Sequence, residues 1–125
     1  MVLATDIARA THETAATTAA SIHLYHEGSV IETPLAGFTG VPGVSGVAVM
    51  APEQGVVEWF PHPDQDLRRL AALAAETART GWRVAVLVPS ERMGEAHGAL
   101  RGAPVTLQPW WVDGERVRFG GPEVP

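Results

Sequence analysis

The spacing of apolar positions changes several times along this 125-residue chain, and each change predicts a new element. Leu3, Ile7, Thr11, Thr14, Thr18, Ile22 and Tyr25 recur at three- and four-residue steps, the spacing of one helix face, so residues 2–27 are expected to be helical. Gly28 is a natural stop. Most of that face is threonine and alanine, which bury little area. At about 25 cal/mol per Å² such a face cannot hold a helix down alone, so a partner is expected from the same domain or from a second copy.

A short extended piece, Ser29 to Thr33, leads into a glycine-rich stretch over 34–46. Gly37, Gly40, Gly43 and Gly46 fall at every third position, as in a collagen repeat. Three triplets are too few for a triple helix, and the expectation is a surface loop. Val47–Ala51 and Val56–Phe60 then read as two strands joined by the turn Pro52-Glu53-Gln54-Gly55. With Ala51 opposite Val56, Val49 meets Glu58 and Val47 meets Phe60. Glu58 is then a carboxylate on an apolar face.

Asp64 is expected to cap the clearest helix in the chain, whose buried stripe is Leu67, Leu70, Ala71, Ala74 and Ala78 and whose end is Gly81. The nearly continuous apolar run Arg83–Val88 predicts a strand covered on both faces, of the kind usual in the parallel interior of a sheet. Ser90 is expected to cap a shorter helix carrying Met93, Ala96 and Leu100, ended by Gly102. Val105–Gln108 follows as a strand. Asp113-Gly114 predicts a tight hairpin between Trp110–Val112 and Glu115–Phe119. The order α-β-ββ-α-β-α-β-β predicts one α/β (α+β) domain over 1–125. Its small mixed sheet would hold a hairpin and a βαβ-type crossover, with the main sheet and helices over 47–119.

Composition narrows the function classes. An apolar fraction of 46% with 18% charged residues belongs to a chain that buries a core. The absence of cysteine removes disulfides, thiolate nucleophiles and thiolate metal sites. The net charge is −5 and all nine cationic residues are arginine, scattered along the chain, so nucleic acid is not an expected partner. No run approaches the roughly 20 apolar residues of a spanning helix. Asp6, Arg9, His12 and Glu13 break up the N-terminus, which argues against a secretory signal. A cytoplasmic location without membrane contact is expected.

Candidate chemistry is sparse. His23 and His26 lie one helical turn apart beside Glu27, a spacing that can share a metal, but zinc needs a third ligand. His12 is eleven residues away on that helix, about 16 Å at 1.5 Å per residue, too far for the same ion. His62, Asp64 and Asp66 form a second polar cluster with nothing to bring it to His23. No Gly-x-Ser-x-Gly elbow occurs, and no cofactor is predicted. Across the terminal hairpin Trp111 is expected to face Arg116 as a cation–π pair and Trp110 to face Val117, which leaves one tryptophan in the core and the other partly exposed.

The order helix, strand, hairpin, helix, strand resembles the core of the restriction-endonuclease-like nucleases. The segment Val56-Val-Glu-Trp-Phe60, the following helix and the run Arg83–Pro89 carry that resemblance. It implies that Glu58 stands for the glutamate of the family's Glu-x-Lys, a metal-binding site. Phe60 occupies the lysine position, however. No aspartate lies between Asp6 and Asp64, and Glu32 is the nearest acidic substitute. The active site so implied is degenerate.

The reading that follows is a non-catalytic interaction or assembly subunit that self-associates or binds a protein partner. Its expected contacts are Ile7, Thr14, Thr18, Ile22 and Tyr25 on the first helix, with Trp110, Trp111 and Arg116 on the hairpin. One alternative is a degenerate nuclease or small metal-dependent hydrolase using Glu58 with His23 and His26. The other is a small-ligand module at Trp110/Trp111.

Overall fold

The computed structural model describes residues 15–19 and 30–125. Its six strands form one mixed sheet in sequential order: β1 (Ile31–Pro34), β2 (Gly46–Ala51), β3 (Val56–Pro61), β4 (Arg83–Pro89), β5 (Val105–Asp113) and β6 (Arg116–Phe119). Antiparallel pairs at both ends enclose a parallel centre, β3–β4–β5. The α-helices α1 (Leu35–Thr39), α2 (Arg68–Arg79) and α3 (Met93–Ala99) connect the strands. The architecture is the expected α+β class.

The centre of the sheet follows directly from the apolar runs. In β4, alternate residues Val84, Val86 and Val88 enter a core with the helices, while Leu87 enters a second core on the opposite face. That two-sided burial is why β4 carries no alternation, and its pairing is parallel on both edges. The larger core joins Trp59 and Leu107 of the sheet to Leu35, Leu67, Leu70 and Leu100. The smaller core sets Ala15, Ala16 and Ala19 against Val49, Phe60, Leu87 and Trp110. The helical turn at 15–19 therefore packs on its own sheet through alanines, whose small side chains allow close approach, while Thr18 is only half-buried. The remainder of the helix expected over 2–27 lies outside the described residues.

The β2–β3 register is the one expected: Ala51 opposite Val56, Val49 opposite Glu58, Val47 opposite Phe60. A 3₁₀ turn, Pro52–Gln54, closes the hairpin, with Gly55 in the left-handed region.

Four expectations are corrected. Asp64 does not cap α2. Residues 62–65 form a separate turn, with the Gln65 amide donating to the His62 carbonyl at 2.8 Å, and the buried Gln65 side chain accepts the Ser45 amide at 2.7 Å. This anchor delays the helix to Arg68, whose amide donates to Asp66 Oδ1 at 3.1 Å. Ser90 does not cap α3 either. Pro89 occupies the capping position of a 3₁₀ turn, Ser90–Arg92, which has no side-chain cap and runs into the helix at Met93.

The glycine-rich stretch is not all loop, since it contains α1, closed by Gly40 with φ 71°. Its triplet period has no structural counterpart: Gly40 ends a helix, whereas Gly46 lies in β2 with backbone too close for a side chain. Finally, Val105 to Asp113 is a single strand. Its hairpin turns on Gly114-Glu115 with Asp113 opposite Arg116, one position later than expected. Gly114 alone takes positive φ (63°), the pattern of a turn with glycine first. Asp113 stays in the strand, where its carboxylate accepts Arg118 Nε at 2.8 Å. Consequently Trp111 faces Arg118 rather than Arg116, and Trp110 faces Phe119 rather than Val117.

Candidate interaction surface

The β5–β6 hairpin is built as an arm. β5 pairs with β4 only as far as Trp110, opposite Pro89, and from Trp110 to Asp113 its ladder partner is β6. The arm thus continues past the end of the parallel centre. The strand period of two then sorts its side chains. Trp110, Val112, Val117 and Phe119 lie on the face of the smaller core, and Trp111, Asp113, Arg116 and Arg118 on the other.

Burial falls away toward the tip. Trp110 is 4% exposed and closes the smaller core with Val117 and Phe119 packed beside it, so the arm is anchored at its base. Trp111 is 37% and Val112 51% exposed, on opposite faces. Among the described residues the exposed large apolar side chains are Ile31, Trp111, Val112 and Val124, and two of these four belong to this arm. The expectation of one core and one partly exposed tryptophan is met. Arg116 is exposed at the turn, and Arg118 is held beside Trp111 by Asp113.

Behind the arm, the C-terminal tail completes the edge of β5. Leu107 and Glu123 exchange two backbone hydrogen bonds of 2.7 and 2.6 Å, and the Gly120 amide donates to the Pro109 carbonyl at 2.9 Å. The Glu123 carboxylate lies 2.9 Å from His97 Nε2 on α3. Gly120 also sits directly against the Pro109 ring and Trp111, where an added Cβ would come within 2.7 Å of Pro109 Cγ. The absence of a side chain there lets the chain fold tightly at the foot of the arm.

The other sequence-derived candidates fare differently. Ile7, Thr14, Ile22, Tyr25, His23 and His26 lie outside the described residues. Glu58 is half-buried on the smaller-core face between Val49 of β2 and Ala85 of β4, and it is engaged in an interaction. Phe60, at the lysine position of the nuclease-like pattern, is fully buried in that core, where an ammonium group has no place. No group of three or more histidine, aspartate or glutamate side chains among the described residues is arranged to hold a metal. No helix of the described residues is long and apolar enough to cross a membrane.

Of three surface depressions among the described residues, none is lined by Trp110 or Trp111. One, of about 370 Å³, lies between α1 and α2. Sequence reasoning missed it, because it depends on Phe38 in a stretch read as loop. A pocket at the hairpin end, required by the small-ligand reading, is not among them.

Comparison with family models, with curated sequences and with solved structures found no match for this chain.

Proposed function

We propose that this protein is a non-catalytic interaction subunit that self-associates through the β5–β6 arm. The observation that carries this reading is the exposure of Trp111 and Val112 on opposite faces of a hairpin whose base is locked into the core by Trp110. A rigid strand pair presents these side chains at little further conformational cost, because the ladder and the Asp113–Arg118 ion pair already order the arm. Tryptophan and arginine side by side are the residue types that dominate binding energy at protein interfaces. With no catalytic motif in the sequence, contact chemistry is what the arm offers.

The test is solution mass by light scattering across a concentration series, for the native chain and for Trp111→Ala and Val112→Asp. Self-association predicts a mass above the monomer that falls to the monomer in both variants, while circular dichroism stays native. A native chain that is monomeric throughout, or an oligomer indifferent to both substitutions, refutes the reading.

A further inference from the structure

The depression between α1 and α2 has an unusual chemical bias. Leu73, Glu76, Thr77 and Thr80 approach it at three-, four- and seven-residue spacing from one face of α2 and its C-terminal cap. Phe38 of α1 and Trp82, just before β4, supply aromatic wall. Their rings meet edge to face, centroids 5.6 Å apart at 74°, and Phe38 is held from behind by the fully buried Trp59 at 6.2 Å. The aromatic wall is therefore fixed by the core.

The polar lining consists almost wholly of acceptors. Thr39 Oγ1 donates to the Leu35 carbonyl at 2.9 Å, Thr77 Oγ1 to Leu73 at 2.8 Å and Thr80 Oγ1 to Thr77 at 2.7 Å. A hydroxyl has one hydrogen, so each of these three has only lone pairs left to offer. Thr39 spends one of them on the Val41 amide at 3.3 Å. Glu76 adds a carboxylate that makes no hydrogen bond or ion pair among the described residues. The Trp82 indole N–H is the one side-chain donor in the lining.

We infer that this cleft binds a small primary alkylammonium ion. Such a ligand brings three N–H donors to a carboxylate and threonine oxygens, its charge is attracted to aromatic faces, and its alkyl part meets Leu73 and Val41. Anions are repelled by the same lining. The volume of about 370 Å³ suits a compact amine, at the small end of ligand sites. The net charge of −5 draws cations toward the molecule as a whole.

The experiment is an NMR titration of the uniformly ¹⁵N-labelled chain with n-butylammonium chloride at constant ionic strength. The readout is the Trp82 indole resonance, assigned by its loss in Trp82→Phe. A saturable shift is expected, with the dissociation constant raised about threefold or more in Glu76→Gln, an isosteric change at an exposed position that leaves the fold intact. Tetramethylammonium, which has charge but no N–H, is expected to bind more weakly, and butyrate not at all. An unmoved Trp82 resonance through tens of millimolar amine overturns the assignment. So does an equal response in Glu76→Gln, or an equal response to butyrate.

Discussion

Gly46 offers a sharp test of how the sheet closes. It begins β2 opposite Pro61 with φ 139°, in the region side chains rarely adopt. A Cβ built there would lie 2.3 Å from the Phe60 carbonyl oxygen, 2.9 Å from Pro61 Cα and 3.0 Å from the His62 amide nitrogen. All three are backbone atoms of the paired segment and cannot swing aside. Relief requires moving the strand that carries Phe60, a fully buried member of the smaller core. Backbone strain of roughly 1–3 kcal/mol and overpacking of roughly 1–3 kcal/mol together put Gly46→Ala at about 2–6 kcal/mol of lost stability. Against a typical total of roughly 5–15 kcal/mol this is a large fraction.

The assay is urea denaturation followed by tryptophan fluorescence, with two substitutions from the same triplet series as internal references. Gly40→Ala has the strained φ but nothing within 4 Å, so a loss of about 1–2 kcal/mol is expected. Gly37→Ala lies inside α1 with ordinary backbone and only Thr33 Oγ1 at 3.4 Å, so about 0.5–1 kcal/mol of gain is expected. If Gly46→Ala loses less than about 1 kcal/mol, or if the three variants fall together, the steric argument is wrong.

Leu70, fully buried where α2 meets the sheet, should lose about 2–5 kcal/mol on conversion to Ala, read as a lower urea midpoint with unchanged slope. The Arg92 hydrogen bonds to Glu95, at 3.0 and 3.2 Å, hold the Glu95 carboxyl below the usual carboxylate range. Its stabilisation is therefore present above the ordinary carboxylate pKa and lost as pH falls through the lowered one. The difference in urea midpoint between the native chain and Glu95→Gln should accordingly be present at pH 7 and shrink in strong acid, whereas a constant difference would remove the ion-pair explanation. Phe60→Lys, which completes a Glu-x-Lys on β3, should unfold or severely destabilise the protein by several kcal/mol instead of creating a nuclease. A folded variant that nicks plasmid DNA with magnesium would reverse that conclusion.

What the sequence determined by itself was set by local periodicity and volume. The run from Arg83 to Val88 reads as a strand buried on both sides, since Val84, Val86 and Val88 fall on one face and Ala85 and Leu87 on the other, which leaves neither face polar. The 51–56 turn sets the β2–β3 register, and slipping it by one residue would turn Phe60 from the smaller core to the face of the larger one, which Trp59 already fills.

Tertiary structure decided the rest. A buried Gln65 reaching Ser45, twenty residues away, delays α2 past its apparent cap. A single-residue change in the position of the terminal turn exchanges the partners of both tryptophans, and that choice rests on Gly114 and on Asp113 meeting Arg118. The cleft beside Trp82 exists only because a helix five residues long formed inside a glycine-rich stretch and presented Phe38 to two tryptophans distant in sequence. Such contacts have no period along the chain. They are fixed by packing in three dimensions, where one well-placed side chain outweighs the local preference of several residues.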